Sequence, residues 1–433
     1  MLLAWPVCVS NLGHVLVGVV DTAMVGGITQ NEFGYSGTTA QAAVSLANGI
    51  YFLVLVFGFG VSYGVTPLTA AADSSGDVEE NSKLLSHSLV VNICTSVILF
   101  IFLFLVSPAI KYIDQPSDVV ELAIPFLNVM LLSMIPLALF STFKQFAEGL
   151  SFTRFAMIIT IGSNLLNVLF NYILIYGNFG FDAMGLMGAC WASFWARIIM
   201  ALAMFMYVYC GKRFRQYWIG FSLLDLSFER IKKIFKLGAA SGLQWVFEVG
   251  AFSCAMVMIG WIGKKEQAAH LIALQVAAMT YLIASGISAA ATVRAGNQLG
   301  AKNILSLKEA ASSAFVMVLI TQVFFAILFL SFRKLIPVMF SHDQEVRDIV
   351  SSLLLIAALF QISDGIQVVA LGVLRGVKDV TIPTWITFSV YWLIGLPTCY
   401  FLAFKLNFGV QGIWFGLTIA LSLAAVLLYS RFV

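Results

Sequence analysis

Charge is what this chain has least of. Asp, Glu, Lys and Arg make up only 10% of its 433 residues, against 61% hydrophobic residues and a mean hydropathy of +0.96. A soluble globular domain carries about 25% charged residues, so that class is excluded. Histidine is scarcer still. His14, His87, His270 and His342 show no two-histidine helical spacing, which excludes a helical zinc motif. The six cysteines, Cys8, Cys94, Cys190, Cys210, Cys254 and Cys399, are scattered through apolar stretches without metal-site spacing or an extracellular framework. They read as small apolar residues. No P-loop pattern is present, which removes direct ATP hydrolysis, and no nucleophile has an evident base partner. The chain is therefore read as no enzyme and as needing no cofactor. Its first apolar run starts at Met1 without a basic lead or a small-residue cleavage site, so a removable signal peptide is not expected.

Long apolar runs fill the space left by charge. Twelve stretches, near 2–25, 41–66, 84–107, 119–142, 154–177, 186–209, 234–262, 268–292, 308–331, 347–370, 383–404 and 412–430, each approach the roughly 20 residues needed to cross a bilayer as helix. The fold class expected is an all-α polytopic membrane protein. Sixteen Lys and Arg fall in the even-numbered connections and the C-terminal end, seven in the odd-numbered ones. Basic residues are retained on the cytoplasmic side, which puts both termini there. That asymmetry also accounts for the net charge of +3 without a nucleic-acid partner.

The longest charged connection divides the twelve helices into an N-lobe (1–210, helices 1–6), a cytoplasmic connector (211–233) and a C-lobe (234–433, helices 7–12). An ungapped shift of 227 residues lays Asp21 on Glu248, Gly149 on Gly376 and Gly185 on Gly412. Six crossings per repeat give both lobes one orientation, related by a pseudo-two-fold axis along the membrane normal. Glycine pairs four apart, Gly60 with Gly64, Gly238 with Gly242, Gly296 with Gly300 and Gly372 with Gly376, read as close helix packing. Ser227–Lys236 reads as an interfacial amphipathic helix serving as connector.

Three carboxylates break the apolar runs. Asp21, Glu248 and Asp364 lie at bilayer depth, where an ionised acid costs about 2.5–3.5 kcal/mol or more. Helical spacing places polar residues beside them. Asn11, His14, Gly18 and Asp21 share one face of the first helix; Ser241, Gln244 and Glu248 one face of the seventh; Asn164, Asn167 and Asn171 one face of the fifth. Gln361 precedes Asp364 by three residues, with Gln367 close by. The amides alone can serve simply as helix-to-helix bonds. An acid where an amide would make the same contact points to a role for its charge state. Arg197 is the basic residue at mid-span, read as an ion-pair partner or as snorkelling to the inner surface. Tyr281 shares a face with Ser285 and Ser288 and offers a ring to a flat organic cation.

These residues together resemble the multidrug and toxic compound extrusion (MATE) family, in its NorM-like branch, over essentially the whole chain. Val20 to Gly26 looks like the family's first-helix motif, and Pro6 matches the proline at which that helix bends. Pro67 and the Gly76-Asp77 pair resemble the end of the second helix and its connection, and Arg294 to Ala301 resembles the connection after the eighth. The resemblance implies an N-lobe ion site from Asp21, Asn167 and Asn171, with Ser193 where relatives often place a threonine. It implies a C-lobe site from Glu248 and Asp364, with Na⁺ as a candidate ion there. Tyr281, Gln244, Gln361 and Phe360 would line the substrate cavity. Phe360 stands where some relatives have a tyrosine one turn before the aspartate, which removes an oxygen ligand.

The function expected is antiport: H⁺ or Na⁺ enters and a small organic, mostly cationic, substrate leaves by alternating access through a monomer in the inner cell membrane. Two alternatives stay open. A lipid-linked saccharide flippase would favour a basic cavity and extra helices, and a passive channel would not need its acids to load and unload.

Overall fold

A computed structural model describes residues 3–28, 33–112 and 115–433. Twelve helices among them are long and apolar enough to span a bilayer, and no strand occurs among the described residues. We number them α1 (Ala4–Gly26), α2 (Gly37–Ser74), α3 (Val78–Tyr112), α4 (Ser117–Gly149), α5 (Arg154–Tyr176), α6 (Leu186–Cys210), α7 (Phe228–Ile262), α8 (Lys264–Gly300), α9 (Ile304–Phe332), α10 (Gln344–Gly376), α11 (Thr381–Lys405) and α12 (Gly409–Phe432). The twelve apolar runs each find their helix, but several helices overrun them. A helix starts at its cap rather than at its first apolar residue. Asp77 caps α3 by accepting from the Glu80 N–H (2.8 Å), Asn303 caps α9 through Ser306 (3.0 Å) and Asp343 caps α10 through Glu345 (2.9 Å).

Three proline positions shape the interiors. A proline cannot donate to the carbonyl four residues back, so the helix breaks there. Pro67 accounts for the break of α2 at Gly64, and Pro136 for the break of α4 at Ser133. Pro397 follows a π-helical stretch of α11, Ser389–Gly395, which carries the residue left without its usual partner. Pro6 lies in the described first turn of α1, Ala4–Gly26.

Two further sequence expectations are corrected. Arg294 to Gly300 are the last turns of α8 rather than a connection, with Ala301 as C-cap. Ser227–Lys236 is not a separate interfacial helix, because Phe228 onward is continuous with α7. The His14 side chain, placed by sequence on the polar stripe of α1, lies outside the described residues.

The chain forms two compact units, Val9–Gly242 and Met1–Cys8 with Leu243–Val433. In the first, α5 packs on α6, and α4 packs on α2, α3 and α6. In the second, α10 is central, in contact with α8, α9 and α12. Thr292 donates to the Gly372 carbonyl (2.8 Å) and Ser288 to that of Val368 (2.6 Å), so α8 and α10 touch backbone to side chain.

Glycine makes an even closer contact in the first unit. A Cβ on Gly60 would lie 2.1 Å from the Gly242 Cα, and one on Gly64 would lie 2.6 Å from the Gly238 nitrogen. Backbone cannot yield as a flexible side chain can, so Gly60→Ala is expected to destabilise by about 1–3 kcal/mol. Gly162→Ala, where nothing lies within 4 Å, serves as control and should be neutral or slightly stabilising. Thermal melting of the two purified variants checks this; equal midpoints would refute the contact.

Candidate functional site

In the unit Val9–Gly242 the acid of α1 meets two neutral donors. Asn171 of α5 donates to one Asp21 oxygen, and Ser193 of α6 donates to the other at 3.3 Å. Asn167 bonds Ser193 (3.1 Å) and accepts from Asn171 (3.3 Å), closing a network in which both hydrogen-bond partners of Asp21 are uncharged, while the charge of Arg197 acts on it from further away. The 3.6-residue period explains the α5 side: residues 164, 167 and 171 fall on one face. Gly13 keeps α1 near that face, since a Cβ there would come within 2.7 Å of the Asn164 Nδ2. The Asn171 Oδ1 is buried with no partner in this network, which leaves an oxygen free to face an entering cation or water.

The other unit buries two acids. Glu248 on α7 is 7% exposed and Asp364 on α10 is 6% exposed, and the two lie within electrostatic reach of one another. Both also act on Tyr391 of α11, as does Tyr281 of α8. Tyr391 donates to the Gln367 Oε1 at 2.9 Å. This is an all-oxygen donor group, of the hard type that suits a proton or an alkali cation rather than a soft metal. No cluster of three or more His, Cys, Asp or Glu occurs among the described residues.

The remaining cavity candidates are engaged in packing. Gln244 donates to Thr384 (3.1 Å) and to the Val380 carbonyl (3.3 Å), and Gln361 donates to the Gln322 carbonyl (3.3 Å). Phe360, 3% exposed, lies against Phe252 and Trp414 with ring centroids 5.9 and 5.5 Å away. Ser288 is occupied by the Val368 carbonyl, whereas Tyr281 is half-buried. Arg197 makes no direct ion pair among the described residues, although its charge acts on Asp21. It donates to the hydroxyls of Tyr51 (2.7 Å) and of Ser133, the residue at the α4 break.

Three residues escaped the sequence reading. Tyr391 sits on the π-helical turn of α11, and no polar periodicity marks it. Lys144 and Glu148 form an ion pair inside α4 (3.8 Å), with side chains 7% and 4% exposed. Lys144 also donates to Ser10 of α1 (3.3 Å), which in turn bonds Thr160 of α5 (3.2 Å). The apolar run ends at residue 142, short of this pair, whereas the helix continues to Gly149. Its basic and acidic residues four apart were the available signal.

Twelve spanning helices among the described residues, with carboxylates buried in each unit, define a polytopic membrane protein. The MatE family model matches residues 6–173 and 240–401. The chain is 30% identical over 99% of its length to the multidrug resistance protein NorM of Photobacterium profundum, covering 93% of that protein. It is 31% identical to the multidrug resistance protein MdtK of Yersinia pseudotuberculosis, again over 99% of this chain and 93% of the other. A crystal structure of a eukaryotic MATE transporter superposes with a TM-score of 0.89 at 20% identity, covering 100% of this chain and 94% of that one. The chain belongs to the MATE family of membrane transporters.

Proposed function

We propose that this protein is a secondary active multidrug exporter, exchanging H⁺ or Na⁺ for small organic, mostly cationic, substrates by alternating access. One observation carries the reading. Among the described residues, none of the six ion pairs involves Asp21, Glu248 or Asp364. Glu248 and Asp364 are buried, whereas Asp21 is half-buried and lies in the field of Arg197. A buried carboxylate without an ion-pair partner is stable when a mobile cation neutralises it, and a proton, Na⁺ or a cationic substrate can each do so. Competition among these for the same negative field is the coupling. Glu248 and Asp364 hold the ion in one unit, and Asp21 with Asn167, Asn171 and Ser193 holds it in the other.

Both termini face the cytoplasm of the inner membrane in this reading. Lys144 in α4 and Arg375 in α10 are buried and drop out of the charge count, and the asymmetry remains fourteen to seven. The relatives' names support drug efflux, and the exporter works as a monomer.

Proteoliposomes loaded with a cationic dye test the exchange, with a pH gradient and a Na⁺ gradient imposed separately. Efflux should follow at least one gradient and reverse when that gradient is reversed. Dye flux indifferent to both would replace exchange by passive conduction.

A further inference from the structure

The stretch between α6 and α7 lies outside the membrane-spanning helices, yet it holds large apolar side chains in the open. Ile219 is 89% exposed and Leu224 99%, and Phe228, the first residue of α7, is 77% exposed. Such side chains favour leaving water. The segment that carries them is not slack. Ser222 gives its N–H to the Ser86 hydroxyl of α3 (3.3 Å), Ser227 gives its N–H to the His87 Nε2 (2.8 Å), and Arg230 grips Glu80 with two nitrogens (2.9 and 3.1 Å). Residues 80–87 are the opening turns of α3, so the segment is fastened alongside a helix where that helix enters the bilayer. The tip is built as well. The Ser222 hydroxyl accepts from the N–H groups of Leu224 (3.2 Å) and Asp225 (3.3 Å), forming a tight turn that holds Leu223 and Leu224 outward.

Charge accompanies the apolar tip. Residues 211–236 contain seven Lys or Arg against two acids, and Lys212, Arg215, Lys232, Lys233 and Lys236 are exposed. Retention of basic residues on one side of a membrane explains lysines in a connection. It does not explain leucines held outward on a hydrogen-bonded turn. We propose that this segment is a lipid-docking element: Leu223 and Leu224 insert at the headgroup boundary of the adjacent leaflet, and the basic residues hold anionic phospholipid headgroups beside them. An apolar wedge flanked by Lys and Arg is the combination that binds anionic bilayer surfaces, and clusters of basic residues next to a spanning helix strengthen it. A soluble protein partner fits less well, because the bilayer is already adjacent to both ends of the segment.

Hydrogen exchange on the intact protein tests this, comparing nanodiscs of phosphatidylcholine alone, nanodiscs with added phosphatidylglycerol, and detergent with inorganic phosphate. The amides of Leu224 and Asp225 should exchange about tenfold more slowly in the phosphatidylglycerol discs than in the other two. That protection should vanish in Leu223→Ser/Leu224→Ser and in Lys232→Gln/Lys233→Gln/Lys236→Gln, whose exposed sites leave folding intact. Equal exchange in both disc types would overturn the proposal. So would protection by phosphate in detergent, which would assign the segment to a free anion, or protection that survives the lysine changes.

Discussion

Glu248→Gln is expected to end ion-driven efflux while leaving the protein as stable as before, or more so. The two effects have one origin. Glu248 is 7% exposed and has no ion-pair partner among the described residues, so its charged form is held at a cost that an amide of the same shape does not incur. Removing the carboxylate relieves that cost. In the proposed exchange it also removes one cation-binding charge from the cycle, and each coupled unit charge contributes about 2.3 kcal/mol per 100 mV of membrane potential. At tenfold per 1.36 kcal/mol, the substrate gradient attainable at that potential should fall about 50-fold. Asp364→Asn should behave alike, because the two acids interact within one unit. Dye accumulation under a fixed ion gradient gives the first effect and thermal melting the second. Wild-type efflux in either variant would remove the pair from the mechanism, whereas a lowered melting point with reduced efflux would make their role structural.

Lys144→Met should do the opposite, unfolding the protein without touching the proposed ion sites. Its partner Glu148 is 3% exposed and lies beside Lys144 at 3.8 Å. Breaking a buried pair from one side leaves a naked charge and costs about 3–5 kcal/mol. Removing both charges together is far milder, so Lys144→Met/Glu148→Gln should recover most of the lost stability. The same substitution releases Ser10, hence the α1–α4 link should be lost in single and double variants alike. Melting temperatures of the two single variants and the double one form a closed cycle. If the double variant is no more stable than Lys144→Met, the two charges are not paired in solution.

The contrast between these acids shows what a sequence can and cannot disclose in a membrane. Asp21, Glu248 and Asp364 stand out because apolar residues flank them on both sides; the period-3.6 stripe puts Asn167 and Asn171 on one face of α5, and the family resemblance joins them to Asp21, to which Asn171 is hydrogen-bonded. Glu148 is just as buried but lies at the end of its apolar run, where hydropathy declines while the helix continues. Burial there comes from neighbouring helices, which a linear window does not see. The same limit misplaced Arg294 to Gly300, because polar residues near a helix end look like a loop. Nor does a linear window show that the partners of Gln361 and Phe360, namely Gln322, Phe252 and Trp414, come from three other helices.

The π turn of α11 carries a consequence for comparing the two halves of the chain. A π turn takes up one more residue than an α turn, and each extra residue rotates everything after it by about 100°. Under the 227-residue shift, Asn164 on α5 falls on Tyr391, Asn167 on Ile394 and Asn171 on Thr398. Tyr391 lies inside the Ser389–Gly395 stretch and bonds Gln367, while Thr398, beyond it, is half-buried and bonds its own helix at Ile394. Helical phase has therefore slipped between α5 and α11 even where their letters align. An inherited polar face would arrive on α11 turned away from its counterpart's direction, and ancestry alone cannot transfer a binding residue from one half to the other.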